Sequence, residues 1–246
     1  VTLESLPDGY RAVVFGSSGG LGSAFVKALC EDRRCAHVYA VSRRDTHAPI
    51  GKLSTFYGDL EQESSIAAAV EGCTQDGPLH LVLVATGMLH EKSVQPEKTW
   101  TSLTSESLQR AFAINTIGPA LIAKHTLRHL ATNGKSLFAA LSARVGSITD
   151  NRLGGWYGYR ASKAALNMTI RTLAIELARR NKTALCVGLH PGTVQTALSK
   201  PFLEPPHSRP VFSPELSVDR LLQVIDGLSP AQTGRLFAWD GSEIPF

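Results

Sequence analysis

Tyr159 and Lys163 stand four residues apart in Tyr159-Arg160-Ala161-Ser162-Lys163, inside a strong helical pattern. A four-residue step puts both side chains on one face of a helix. A lysine cation beside a phenol favours phenolate and lowers its pKa from about 10 towards working pH. Such a phenol can pass a proton to or from a carbonyl/alcohol pair. The pair is unspecific alone and gains meaning from a second cluster, Gly16-Ser17-Ser18-Gly19-Gly20-Leu21-Gly22, which ends an apolar run and opens a helical pattern. Glycine there lets the turn close tightly and the backbone approach a pyrophosphate, while the next helix aims free N–H groups and its positive end at the anion. The spacing is GxxxGxG, not GxGxxG, so its position between strand and helix carries the expectation. A third cluster ends the following apolar run: Ser42 and Arg43, then Arg44 and Asp45. In a dinucleotide fold that tip meets the adenine ribose, where arginine accommodates a 2′-phosphate and an acidic residue binds a 2′-hydroxyl. With Ser42 and Arg43 at the tip and Asp45 beyond it, NADP(H) is favoured over NAD.

These groups need a frame, and the hydropathy pattern provides one. Apolar runs of strand length fall at Arg11–Phe15, His37–Ser42, Leu53–Tyr57, His80–Ala85, Ser136–Ser142, Ala184–His190 and Arg235–Ala238. Helical patterns alternate with them at Gly20–Asp32, Glu63–Glu71, Thr104–Ala131, Trp156–Arg180 and Ser217–Leu228. Strands that are apolar on both faces and separated by helices predict a parallel sheet covered on both sides. The expected fold is α/β: one domain over residues 1–246, a Rossmann-type doubly wound sheet of about seven parallel strands. Leu198–Pro214 carries five prolines that exclude a regular helix or central strand. A loop of that length beside the site is expected to act as a substrate lid.

Composition removes other classes. A chain of 246 residues, 43% hydrophobic and with net charge +4, is too apolar for disorder. It has no apolar stretch of membrane-spanning length, and Val1–Arg11 lacks the pattern of a signal peptide. Cys30, Cys35, Cys73 and Cys186 form no CxxC pair, and His125 with His129 lacks the surroundings of HExxH, so no metal is expected. Basic clusters at Arg33–Arg34, Arg43–Arg44 and Arg179–Lys182 have no aromatic interleaving, which argues against nucleic acid. A soluble, cytoplasmic protein without membrane or nucleic-acid partners is the expectation.

Taken in order, these landmarks resemble the short-chain dehydrogenase/reductase family along essentially the whole chain. The glycine turn Gly16–Gly22 is followed by Asp59-Leu60, at the family's adenine contact, and by Ala85-Thr86-Gly87, the counterpart of its Asn-Ala-Gly. Then come Asn115, Ser142, Tyr159 with Lys163, and Pro191-Gly192-Thr193-Val194-Gln195-Thr196. Ser142–Ile148, the segment around Tyr159–Asn167 and the ending Asp240–Phe246 are similar, more narrowly, to the C-factor and sniffer-type carbonyl reductase branch. The resemblance implies a catalytic set of Asn115, Ser142, Tyr159 and Lys163. Lys163 would hold the nicotinamide ribose, and Asn115 a water leading to Lys163. It implies a cofactor site of Gly16, Ser17, Gly20, Leu21, Gly22, Ser42, Arg43, Asp59, Leu60, Ala85, Gly87, Tyr159, Lys163, Pro191, Gly192, Val194 and Thr196. Three departures stand out: Phe15 replaces the usual threonine, Thr86 interrupts Asn-Ala-Gly, and the serine counted back from Gly146 falls on Ala143. Ser142, one place earlier at a strand tip, is preferred, with Ser147 as fallback. The expected activity is NADP(H)-dependent reduction of a small aldehyde or ketone by a homodimer or homotetramer. The alternative is a C-factor-like regulatory or signalling protein that binds the dinucleotide with incidental turnover.

Overall fold

The computed structural model describes residues 1–44, 48, 50–91, 94–203 and 210–246. Asp45 and positions 204–209 of the expected lid, with Pro205 and Pro206, lie outside the described residues. The strands are β1 (Tyr10–Phe15), β2 (Cys35–Ser42), β3 (Leu53–Tyr57), β4 (Leu81–Val84), β5 (Ser136–Leu141), β6 (Ala184–His190), β7 (Thr193–Val194), β8 (Val211–Phe212), β9 (Leu236–Ala238) and β10 (Glu243–Ile244). The helices are α1 (Gly20–Glu31), α2 (Glu63–Cys73), α3 (Ser105–Phe112), α4 (Gly118–Thr126), α5 (Tyr157–Arg180) and α6 (Pro214–Gly227).

The main sheet runs β10-β9-β6-β5-β4-β1-β2-β3, and every pairing in it is parallel except β10 on β9. The seven expected parallel strands are therefore present, with a two-residue antiparallel strand added at one edge. Alternation in β1 divides the core: Ala12 and Val14 pack with Phe25, Leu29, Leu221 and Ile225 of α1 and α6. Val13 and Phe15 pack on the other face with Ile66, Ile122 and Ile170 of α2, α4 and α5. The strand order reverses between β1 and β4, and in such sheets a crevice opens beyond the strand ends at that point.

Three expectations need correction. The pattern at Thr104–Ala131 is not one helix, because a π-helical turn at Ala113–Ile117 separates α3 from α4 and a 3-10 turn follows at Leu127–His129. Pro119 explains the break: it has no N–H for the carbonyl four residues back, at Asn115. Next, α6 begins at Pro214 and not at Ser217, with the Ser213 hydroxyl accepting the Leu216 N–H at 3.2 Å. Proline is tolerated in the first helical turn, where its missing N–H leaves no bond unmade. Lastly, Leu198–Pro214 contains regular structure: a 3-10 turn at Lys200–Phe202, and β8 paired in parallel with β7.

Candidate active site

The glycine turn sits where β1 gives way to α1. Gly16 has φ 81°, and a Cβ on Gly22 would lie 2.0 Å from the Gly16 carbonyl oxygen, so the turn closes only on glycine. The first turn of α1 carries no side-chain cap and no acidic residue, which leaves its positive end for an anion. A cleft of about 1250 Å³ begins at Gly19, Gly20 and Leu21, passes Ala85 and Gly87, and reaches Ser142, Tyr159, Lys163, Pro191, Gly192, Val194 and Thr196. A Cβ on Gly20 would meet Thr196 Cγ2 at 3.0 Å, so the turn and the segment after β6 face each other closely. The cleft has the glycine cradle and the helix end that suit a dinucleotide's pyrophosphate.

The other expected cofactor residues surround this cleft without lining it. Gly16, Ser17 and Gly22 form the inner wall of the turn, and Ser17 is buried. Ser42 ends β2 and gives its hydroxyl proton to the Arg44 carbonyl, while Arg43 is exposed. Asp59 organises its own loop, with Oδ1 accepting the Glu61 N–H at 3.1 Å. Leu60 packs onto the start of α4, where a Cβ on Gly118 would lie 2.8 Å from its Cδ1.

Lys163 is buried, and its Nζ donates to the Leu141 carbonyl at 2.7 Å, at the end of β5. It lies 5.9 Å from the Tyr159 ring centroid. Burial pushes the Tyr159 phenol up to about 12 and the Lys163 ammonium down to about 7. Desolvation disfavours the charged form of each group, and it outweighs any lowering of the phenol by the neighbouring lysine.

Asn115, held by the π-helical turn, is fully buried. Its Oδ1 accepts the Met88 N–H at 2.8 Å, and its Nδ2 donates to the Met88 carbonyl at 2.8 Å and to Ser162 Oγ at 3.0 Å. The side-chain amide thus ties the exit of β4 to α5 beside Lys163. Ser142 lines the cleft, and its hydroxyl donates to Asn167 Oδ1 at 2.7 Å. The Asn167 amide is oriented by donating to the Gly146 carbonyl at 3.3 Å. The fallback Ser147 is buried, accepts the Asp150 N–H at 3.0 Å and does not line the cleft. Of the two serines, Ser142 is the one that lines the cleft.

The outer half of the cleft is walled by aromatic and apolar side chains. Trp156 makes edge contacts with Tyr159 at 6.2 Å and with Phe202 at 5.3 Å between ring centroids, and Phe202 meets His90 at 5.5 Å. Leu89, Leu198 and Leu203 complete this apolar wall, and Arg144, Arg152 and Asp150 stand at its rim. Asn167 was legible in principle, since it follows Lys163 by one helical step. The His90 contact had no local signal.

A family model described as short chain dehydrogenase matches residues 11–206. The chain is 39% identical to C-signal of Myxococcus xanthus over 139 residues, covering 56% of this chain and 78% of that protein. It is 30% identical to an uncharacterized oxidoreductase of Schizosaccharomyces pombe over 95% of this chain and 96% of that one. Among solved structures it superposes on carbonyl reductase Sniffer of D. melanogaster with TM-score 0.81 and 25% identity, over 97% of this chain and 99% of that chain.

Proposed function

The chain belongs to the short-chain dehydrogenase family, and from that premise we propose that it reduces the carbonyl of a small, fairly apolar aldehyde or ketone with NADPH. The observation that carries the proposal is the meeting of Tyr159, Lys163 and Ser142 in the same cleft as the glycine turn. The likeness to a carbonyl reductase at 25% identity supports it.

When bound, the nicotinamide cofactor supplies hydride to the carbonyl carbon. The chain's own residues handle the oxygen. Tyr159 gives its phenolic proton to the developing alkoxide, a transfer that its neutral, protonated form suits. Lys163, with its pKa near 7, can return a proton to the phenolate from its Nζ at neutral pH. Ser142 offers a second polar contact to the same oxygen, once its hydroxyl turns from Asn167. Gly20, Leu21 and the end of α1 would hold the pyrophosphate, and Arg43 the 2′-phosphate. Trp156, Phe202 and Leu203 wall the substrate from water, with Leu198–Pro214 acting as the lid.

A homodimer or homotetramer is part of the same proposal. Met168 and Ile175, two turns apart on α5, are exposed, as is Ile117 just before α4. A regulatory protein with incidental turnover is favoured by the C-signal likeness alone. A binding protein has no chemical need for a buried lysine beside a phenol, which weighs for the enzyme.

NADPH oxidation against a panel of aldehydes, ketones and quinones tests the proposal. Turnover with at least one class is expected, and Tyr159→Phe should lower kcat by roughly 10²–10⁴ while leaving NADPH affinity unchanged. Tight NADPH binding with no turnover on any class would favour the regulator.

A further inference from the structure

The helix that carries Tyr159 and Lys163 starts without a cap of its own. Its N-cap position is Trp156, which has no side-chain hydrogen bond to the helix and sits in the left-handed region at φ 51°, ψ 44°. Gly154 and Gly155 just before it have φ 63° and 64°, so three consecutive residues are left-handed. Glycine adopts that conformation freely; a tryptophan holds it only where its surroundings impose it. What imposes it here comes from a distant loop. The Glu97 carbonyl accepts the Trp156 N–H at 2.5 Å. The Glu97 carboxylate, almost wholly buried, accepts the Gly158 N–H at 3.0 Å through Oε2 and the Ser107 hydroxyl at 2.9 Å through Oε1. Gly158 has no side chain to exclude it: a Cβ there would lie 3.0 Å from Oε1.

One residue thus performs two tasks. Its carboxylate supplies the missing N-cap and places negative charge at the positive end of a 24-residue helix. Its main-chain carbonyl pins Trp156, whose indole then stands against Tyr159 on one side and Phe202 on the other. Gly158 immediately precedes Tyr159, so the amide that Glu97 holds is one peptide from the reacting phenol.

We propose that Glu97 is a positioning residue for carbonyl reduction, fixing the Tyr159 turn and the Trp156 wall in one geometry. The proposal rests on the oxidoreductase assignment above and adds a determinant that none of its catalytic residues accounts for. Glu97 touches neither the cleft floor nor the glycine turn, so removing it should disturb phenol and substrate wall while sparing the cofactor.

The experiment compares wild type, Glu97→Ala, Glu97→Gln and Gly158→Ala for kcat, KM of the best carbonyl substrate, NADPH affinity and amide hydrogen exchange over residues 157–163. Glu97→Ala should lower kcat by about tenfold or more and raise KM, since small misplacements of reacting groups are costly, with NADPH affinity unchanged. Exchange in the first turn of α5 should quicken. Glu97→Gln should recover most of the activity, because its amide oxygen can accept the Gly158 N–H while its NH₂ donates to Ser107. Gly158→Ala, which keeps Glu97 and crowds its carboxylate, should fall between wild type and Glu97→Ala, and it replaces Glu97→Ala as the deciding variant if that protein does not fold. Wild-type kinetics in the deciding variant, equal losses in the Ala and Gln variants, or NADPH affinity falling in step with turnover would each overturn the proposal. Exchange needs no substrate. If wild type reduces no carbonyl but exchange still quickens in the deciding variant, the assigned reaction fails while the cap stands; unchanged exchange removes the cap whatever the turnover.

Discussion

Lys163 holds its place by giving a hydrogen bond to the last carbonyl of β5 while its charge is suppressed by burial. That has a measurable consequence for stability. Its pKa falls from 10.5 in the unfolded chain to about 7 in the fold. Below 7 both states carry the charge, and the folded state bears the desolvation cost. Between 7 and 10.5 the unfolded chain binds the proton that the folded chain has shed, so stability rises with pH across that window. Tyr159 acts in the opposite sense only above 10, where the unfolded phenol ionises first. Denaturant midpoints from pH 7 to 9.5 should therefore climb more steeply in wild type than in Lys163→Met, with a difference of at most about 1.4 kcal/mol per pH unit. Parallel profiles would mean that Lys163 keeps its proton in the fold. Just past the end of β2, Arg43 is exposed. A charge-assisted contact to phosphate contributes about 1.5–3 kcal/mol. Arg43→Ala should accordingly weaken NADPH about 10–100-fold and NADH little; equal losses measured by fluorescence titration would remove Arg43 from cofactor choice.

Among the elements, the segment between β7 and α6 is tied down at both ends. β8 pairs with β7, the Gln195 N–H donates to the Phe212 carbonyl at 2.9 Å, and Ser199 gives its hydroxyl proton to the Val194 carbonyl. Between these ties, Phe202 reaches across the cleft to Trp156 and His90. These aromatic contacts place Phe202 and its neighbour Leu203 on the wall of the cleft. Replacing Phe202 and Leu203 together with alanine should raise KM for carbonyl substrates several-fold and leave NADPH affinity alone. Unchanged substrate kinetics would show that the segment only packs. The π-helical turn serves the site differently. By interrupting the ladder between α3 and α4, it turns Asn115 inwards to grip Met88 and Ser162, which joins two elements that flank Lys163.

Across the whole molecule, α5 presents large apolar side chains to solvent among the described residues. Met168 is 68% and Ile175 49% exposed on α5, and Ile117 is 51% exposed just before α4. A second copy of the chain meeting this surface across a two-fold axis would bury the same patch from both sides. Sedimentation at micromolar concentration should give a dimer or tetramer mass, and Met168→Glu with Ile175→Glu should shift it towards the single chain. A monomeric wild type would leave the patch unexplained by self-association. The β1/β4 reversal sets where the chemistry must lie, since it opens the crevice between the glycine turn and the exit of β4.

The sequence by itself determined the alternation of strands and helices, the parallel sheet, the glycine turn and the Tyr159–Lys163 pair. Each of these is local: an apolar period, a backbone conformation open only to glycine, or a four-residue step on one helix face. Tertiary structure decided what depends on neighbours far along the chain. Thr104–Ala131 shows one continuous helical period, yet the ladder breaks where Pro119 withholds its N–H and Asn115 turns inwards. The spacing placed a lysine beside the phenol, but burial, which spacing does not encode, moves the pKa of the ammonium down and that of the phenol up. The strand tip favoured Ser142 over Ser147, but only the fold pairs the Ser142 hydroxyl with Asn167 and the Ser147 hydroxyl with the Asp150 N–H. Glu97 lay in a polar loop with no pattern around it; only the fold brings it 3.0 Å from the amide of Gly158, 61 residues away. A helix cap supplied from so far along the chain is set by how the loop and helix pack, because the hydrogen bond joins groups that share no local period.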